Sequence, residues 1–255
     1  MSVAIKKEAV ITEQIKLAEG IYSMWINSEE IAASAKPGQF VSLYCRDGSK
    51  LLPRPISICE INRKQGTIRL VYRATGKGTM EFAVLKPQDT IIIMGPLGNG
   101  YTLEGTKALL IGGGIGIPPM LELAKQFNGE KQIVLGYRDI TFLEDELASY
   151  GKVFIATEDG SAGTKGNVLD AIRENNLEAD IIYACGPTQM LRGIRDYALE
   201  KGINCQLSLE ERMACGIGTC LGCVCKTKEV DHHSNVKNAR ICKDGPVFYA
   251  EEVEL

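Results

Sequence analysis

A chain of 255 residues, 45% hydrophobic and 24% charged, has the make-up of an ordinary globular protein of one to three domains with ample core. A net charge of -3 without a long basic stripe excludes a nucleic-acid platform, and no apolar stretch approaches the roughly 20 residues that a membrane helix needs. No apolar run of a secretory signal follows Met1 to Lys7, so nine cysteines read as reduced thiols and metal ligands rather than disulfides, and the expected place is the cytoplasm.

Residues 1 to about 101 are expected to be all-β. Short runs rich in β-branched and aromatic residues alternate with turn signals: Ile21 to Ile26, Phe40 to Cys45 after Pro37-Gly38, Ile56 to Ile61, and Thr67 to Arg73. A short helix is expected over Met80 to Leu85 and a last strand over Thr90 to Met94. Strands at this spacing predict an antiparallel barrel. Two of its pieces have chemical character. Arg54-Pro55-Ile56-Ser57 offers a planar donor fork for phosphate, a fixed backbone and a hydroxyl able to meet a ring heteroatom. In Val71-Tyr72-Arg73-Ala74-Thr75-Gly76-Lys77-Gly78-Thr79, glycines ahead of a helix can expose amides to a phosphate. Each piece alone could equally be a strand end or a turn.

From 102 to 209 apolar strands alternate with helices. The strands are expected at Ala108 to Ile111, Ile133 to Tyr137, Val153 to Thr157, Ile181 to Cys185 and Cys205 to Leu209. The helices are expected at Pro118 to Phe127, Leu143 to Ser149, Val168 to Asn175 and Thr188 to Lys201. This order predicts an α/β domain whose parallel sheet is covered on both faces. Its first turn, Gly112-Gly113-Gly114-Ile115-Gly116-Ile117-Pro118-Pro119, leaves a strand and opens a helix, the context of a phosphate loop, yet it is not G-x-G-x-x-G. No acidic residue ends the second strand cleanly, Arg138-Asp139 being nearest, so the standard Rossmann fingerprint is absent. Cys185-Gly186-Pro187 ends the fourth strand, where an α/β sheet binds ligands, and Cys185 could there face a nicotinamide ring or simply be a small buried residue. The loop Thr157 to Gly166 faces the same crevice.

Residues 210 to 255 carry Cys215, Cys220 and Cys223, and Cys242 follows after eighteen intervening residues. C-x4-C-x2-C…C is the plant-type ligand run of a [2Fe–2S] cluster. Gly216, Gly218 and Gly222 let the loop turn tightly and aim amides at sulfur. Structural zinc usually takes two matched cysteine pairs, whereas the second half here supplies one ligand. Cys225 breaks the spacing and reads as a buried residue, with a ligand swap as the alternative. His232-His233 read as a solvated loop, since four spaced cysteines leave no vacancy for a Rieske pair. A segment this short has little core of its own and is expected to be pinned by its metal.

A barrel with R-P-x-S and G-x-G-T, a glycine-rich α/β domain with C-G-P and a terminal cysteine run together resemble the ferredoxin–NADP reductase superfamily along the whole chain. Within it, Glu211-Arg212-Met213-Ala214-Cys215 through Cys225, followed by Cys242-Lys243-Asp244-Gly245-Pro246-Val247-Phe248, is similar to the electron-transfer subunits of dihydroorotate dehydrogenase B. The resemblance implies three parts: an FAD-binding antiparallel β-barrel (1–101), a parallel-sheet NAD-binding α/β domain (102–209) and a small C-terminal [2Fe–2S] module (210–255). Arg54, Pro55, Ile56 and Ser57 would hold the flavin end of FAD; Val71, Tyr72, Arg73, Gly78 and Thr79 would line its ribityl and pyrophosphate. Gly112, Gly113, Gly114, Gly116, Cys185, Gly186 and Pro187 would receive the nicotinamide cofactor, and Cys215, Cys220, Cys223 and Cys242 the cluster.

The partner implied is a separate FMN-containing catalytic subunit, in a heterotetramer of two of each, acting in pyrimidine (UMP) biosynthesis. Dihydroorotate reduces FMN on that partner, single electrons cross the cluster to FAD, and hydride passes from FAD to NAD+. The chain itself supplies no base for pyrimidine chemistry, and neither nucleic acid nor membrane is expected as a partner. The rival expectations are a reductase subunit of another complex (sulfide dehydrogenase, hydrogenase or ferredoxin-dependent transhydrogenase) and a zinc-stabilised, non-catalytic binding module. Preference for NAD over NADP is left open by the missing fingerprint.

Overall fold

The computed structural model describes residues 4–230 and 235–255; the His232-His233 pair lies outside them. The first hundred residues form a closed barrel of antiparallel strands in the order β1-β2-β5-β4-β3-β6. These are β1 (Ile5–Ala18), β2 (Ile21–Asn27), β3 (Phe40–Tyr44), β4 (Arg54–Asn62), β5 (Thr67–Arg73) and β6 (Thr90–Leu97). Pairing of β1 with β6, from Ile5↔Gly95 to Val10↔Thr90, closes it. Alternate residues point inward, as the two-residue period of a strand demands: Val41 and Leu43 of β3 and Ile91 and Ile93 of β6 meet Ile11, Met24 and Leu70. Two short helices plug the barrel, α1 (Glu29–Ser34) with Ile31 and Ala32 and α2 (Lys77–Ala83) with Phe82.

The expected helix at Met80 to Leu85 thus starts three residues earlier, at Lys77. The cause is Thr79, whose Oγ1 accepts the N–H groups of Thr75 (3.2 Å) and Gly76 (3.1 Å) and draws Lys77 and Gly78 into the first turn. β1 and α1 were not expected at all. β1 alternates, but most of its outward residues are charged and only Ala9 and Ile11 are deeply buried, so its apolar signal is faint.

The second half is a sheet in the order β10-β9-β8-β7-β11-β12-β15. Its strands are β7 (Lys107–Gly113), β8 (Glu130–Tyr137), β9 (Lys152–Thr157), β10 (Thr164–Lys165), β11 (Ile181–Cys185), β12 (Asn204–Ser208) and β15 (Val247–Tyr249), with β13 (Val224–Thr227) and β14 (Asn238–Arg240) intervening in the chain. The crossovers contain α3 (Pro119–Gln126), α4 (Glu144–Ala148), α5 (Val168–Glu174) and α6 (Thr188–Lys201). β7 to β12 are parallel, and the order reverses between β7 and β11, which puts the glycine turn and Cys185 side by side at the switch point, Cys185 opposite Gly112. β15 alone runs antiparallel, on β12. Among the described residues no helix is long and apolar enough to cross a membrane.

The barrel and the sheet are joined by polar contacts. Buried Glu122 of α3 accepts the Ile61 N–H of β4 at 2.8 Å, Lys125 meets Glu60 at 3.0 Å, and Arg69 of β5 makes a forked pair with Glu146 of α4 while donating to Ser23 at 2.8 Å. Tyr101, just past the barrel, donates to the Ala184 carbonyl at 3.1 Å and stands edge-on to Tyr183.

The last 45 residues do not stand apart. β15 completes the main sheet, while β13, β14 and β16 (Val253–Glu254) make a small sheet of their own. Cys223, Ile241, Cys242, Phe248 and Val253 share one apolar core with Leu109 and Ile111 of the sheet and Phe40 and Leu97 of the barrel. Neighbouring parts thus supply the core that a segment this short has little of by itself.

Candidate functional site

A cleft of about 300 Å3 lies where the barrel faces the switch point. Pro55, Ile56 and Ser57 of β4, Val71, Tyr72 and Arg73 of β5, and Cys185 at the end of β11 all line it. Two motifs far apart in sequence therefore meet with a third. Arg54 lies outside the lining, its guanidinium directly over Gly78, where a Cβ would overlap Nε. One of its terminal nitrogens donates to the Leu52 carbonyl. Thr79 spends its hydroxyl on the helix start, and the Tyr72 hydroxyl accepts from Gln14 at 2.9 Å inside the barrel, burial pushing its pKa up to about 12. Size and walls suit a flat conjugated ring: apolar Phe40, Val71 and Met213, with hydroxyls at Ser57 and Ser208.

A second cleft of about 480 Å3 opens at the carboxyl ends of β7, β8 and β9. Gly113, Gly114 and Pro187 line it, with Tyr137, Arg138, Glu158, Asn167 and Gln189. It adjoins the first, for Ile115 and Cys185 line the flavin-sized cleft while Gly114 and Pro187 line this one. The other glycines of the expected set serve close packing. A Cβ on Gly116 would collide with the Cys185 carbonyl, and one on Gly112 would stand 2.8 Å from the Ile117 Cα. Gly186 crowds Met190. The turn itself is a short 3-10 stretch, Gly114–Gly116, before α3. Burial pushes the Cys185 thiol up to about 12, so it stays protonated at the junction of the two clefts.

The four spaced cysteines come together in two pairs. In each pair the backbone amide of one cysteine donates to the sulfur of the other, Cys220 to Cys215 and Cys242 to Cys223. Backbone amides point at the sulfurs: Gly218 N–H to Cys242 at 3.1 Å, Thr219 and Cys220 to Cys215 at 3.3 and 3.5 Å, and Cys242 to Cys223 at 3.4 Å. Burial works against a Cys215 thiolate, but the amide donors of Ile217, Cys220 and Thr219 and the Cys220 thiol outweigh it and lower its pKa to about 6. Burial, helped by the neighbouring Cys223, pushes Cys242 up to about 12.

Among the described residues no three His, Cys, Asp or Glu side chains converge on a single-ion site. Two pairs fit a [2Fe–2S] cluster, in which each iron takes two cysteines, better than one tetrahedral zinc. Gly216 (φ +71°) and Gly218 (φ +83°) take left-handed backbone as the tight loop requires; the third such residue is Leu221 (φ +55°), not Gly222. Cys225 sits on β13 against the shared core, its pKa pushed up to about 11 by burial.

Several site residues have no signal of their own in the sequence. Ser208, Glu210 and Met213 line the first cleft. Ser208 and Glu210 follow from the rule that ligands gather at carboxyl ends of parallel strands, applied to β12. Glu210 is exposed at the cleft, and desolvation by the protein around the cleft raises its pKa. Arg240 makes a forked pair with Asp244 (2.8 and 2.9 Å), bracketing Cys242, and donates to the Gly218 carbonyl at 3.4 Å.

Residues 210–254 match the family model described as the iron–sulfur cluster binding domain of dihydroorotate dehydrogenase B. The electron transfer subunit of dihydroorotate dehydrogenase B (NAD(+)) from Fusobacterium nucleatum is 44% identical, over 98% of this chain and 98% of its own. Its counterpart from Bacillus caldolyticus is 42% identical, over 98% and 99%. Among solved structures, a chain of the NADH-dependent reduced ferredoxin–NADP oxidoreductase superposes with a TM-score of 0.86 at 32% identity, over 96% of this chain and 89% of that one. With such identity along the full length of its relatives, the chain belongs to the family of dihydroorotate dehydrogenase B electron transfer subunits.

Proposed function

We propose that this chain is the electron-transfer subunit of an NAD-dependent dihydroorotate dehydrogenase, carrying electrons from the FMN of a catalytic partner to NAD+ for pyrimidine (UMP) synthesis. The observation that supports this most is the contiguity of three sites: a paired-cysteine loop against the barrel wall, a flavin-sized cleft and a second cleft at the switch point. Bound in this order, FAD links the one-electron chemistry of a [2Fe–2S] cluster to the hydride chemistry of a nicotinamide. Arg54, over Gly78, offers its guanidinium to a pyrophosphate. Pro55, Ile56, Ser57 and Val71 seat the ring, and the neutral Cys185 thiol packs at the junction without adding charge. The amides on Cys215, Cys223 and Cys242 hold negative sulfur in a loop that is partly buried. Nine unpaired thiols suit the reducing cytoplasm. The 32% identity to a ferredoxin–NADP oxidoreductase chain favours the rival transhydrogenase assignment less than 44% favours this one.

The cysteine loop also indicates where the partner docks. Ile217 and Leu221 are 49% and 50% exposed on the rim of the loop, beside Val224. Ile217→Glu tests the assignment in the complex reconstituted with the FMN subunit, in which two copies of each chain are expected. FAD, iron and NADH oxidation by dyes should stay near wild type, while dihydroorotate-driven NAD+ reduction should fall at least tenfold, because a carboxylate buried in the interface is costly. An iron-replete variant with full coupled activity refutes the docking face, and wild-type protein that never couples to dihydroorotate refutes the function.

A further inference from the structure

Ser42 is a buried hydroxyl without a hydrogen-bond partner among the described residues. On β3, Val41 and Leu43 fill the barrel, whereas Phe40 and Ser42 face outward under the C-terminal segment. Ser42 is 1% exposed, and among the described residues its Oγ has no hydrogen-bond partner. What covers it is the cysteine loop. A Cβ built on Gly216 would stand 3.0 Å from Ser42 Oγ, 3.6 Å from Leu97 Cδ1 and 3.7 Å from Met94 Cε. A buried hydroxyl left without a partner costs folding free energy unless an acceptor arrives. Across the ladder Ser42 pairs with Pro55, which lines the flavin-sized cleft. The hydroxyl thus sits on the stretch of barrel wall shared by that cleft and the cysteine loop.

We propose that the Ser42 hydroxyl donates a hydrogen bond to a sulfur of the [2Fe–2S] cluster held beside Gly216, and so raises the reduction potential of the cluster. The inference rests on the assignment of Cys215, Cys220, Cys223 and Cys242 as cluster ligands. Sulfur is the acceptor that the buried hydroxyl lacks. Reduction adds one negative charge to the cluster, and a fixed donor stabilises that state more than the oxidised one. Ser42 is therefore a positioning and tuning residue, not a ligand, and its effect belongs to the potential rather than to iron retention.

The test uses the FAD- and iron-loaded subunit and its Ser42→Ala variant. Iron, acid-labile sulfide and FAD are measured first, then the cluster is titrated electrochemically and followed by EPR. The variant should keep iron, sulfide and FAD and show on the order of tenfold less reduced cluster at a fixed potential, which is ~59 mV for one electron. Pulsed EPR in H2O against D2O should show one exchangeable proton coupling of the wild type missing from the variant. An iron-replete variant with unchanged potential and unchanged couplings overturns the proposal. Should alanine lose iron, Ser42→Thr decides: threonine that keeps iron, the wild-type potential and the exchangeable coupling supports the hydrogen bond, and iron lost in both shows a packing role only and overturns it. Wild-type protein holding zinc and no labile sulfide removes the ligand assignment itself, an outcome distinct from a cluster indifferent to Ser42.

Discussion

Removing the Arg54 side chain should weaken FAD binding strongly while leaving the fold alone. The guanidinium lies over Gly78 at the start of α2, and within the protein it donates to the Leu52 carbonyl in an exposed loop. Arg54→Ala therefore empties no core site, and the apo form should lose no more than about 0.5 kcal/mol. A charge-assisted hydrogen bond to a phosphate contributes about 1.5–3 kcal/mol. At ~1.4 kcal/mol per decade the Kd for FAD rises about 10- to 150-fold. Arg54→Lys keeps the charge without the planar fork and should fall between. Gly78→Ala should mimic Arg54→Ala, because its Cβ would displace the guanidinium. Flavin titration of deflavinated protein gives the Kd, and melting of the same apo samples gives stability. Unchanged flavin affinity, or an apo form that melts as poorly as it binds, would refute the role assigned to Arg54.

Two further outcomes are expected. Cys225→Ser should keep the iron content and the EPR signal of the reduced protein, since the Cys225 thiol packs against the shared core; iron lost there but kept in Cys223→Ser would show Cys225 to be the ligand. Glu122, 1% exposed, has its folded-state pKa raised by burial, so its contribution to stability is fully present below the unfolded value of 4.5 and is lost as pH rises through the folded one. Glu122→Gln should keep the bond to the Ile61 N–H and flatten the pH dependence of melting above 4.5; an unaltered pH profile would count against it.

Local chemistry was legible in the sequence, and tertiary partnership was not. β5, β11 and α6 fall on their expected bounds. β11 is an unbroken apolar run between covered faces, and α6 lies between Pro187 and Gly202, whose φ of +65° closes it. The cysteine spacing stands out because all four ligands of a cluster must come from one loop and a nearby turn. The glycine turn was harder, because a glycine kept for a ligand and a glycine kept for packing look alike in sequence. Gly114 lines a cleft with open space beside it, Gly113 lines the same cleft but is also pressed against Met190, and Gly112 and Gly116 lie against Ile117 and Cys185. Ser42 and Glu210 take their character from neighbours about 170 residues away or from a cleft assembled by three elements, and no local pattern marks either.

The junction around Asn99 shows why the cysteine segment keeps a fixed place beside the barrel. The Asn99 side chain donates to the Val247 carbonyl at 2.7 Å and the Asp244 carbonyl at 3.1 Å, and accepts the Val247 N–H at 3.0 Å, while its own N–H donates to the Gly245 carbonyl at 2.6 Å. One residue thus satisfies much of the backbone that leads from Cys242 into β15. Gly98 beside it, at φ +71°, lets this strand approach: a Cβ there would stand 2.6 Å from Pro246 Cδ. The Leu209 N–H, at the end of β12, donates to the Pro246 carbonyl at 2.9 Å. The turn after Cys242 is therefore clamped from the barrel on one side and the sheet on the other. Electron transfer between fixed cofactors needs such a clamp, because the gap between them must not vary as the partner binds and leaves. The shared core of Phe40, Leu97, Cys223 and Cys242 makes the same demand in apolar terms: the cysteines cannot shift without opening the contact with the barrel wall that borders the flavin-sized cleft.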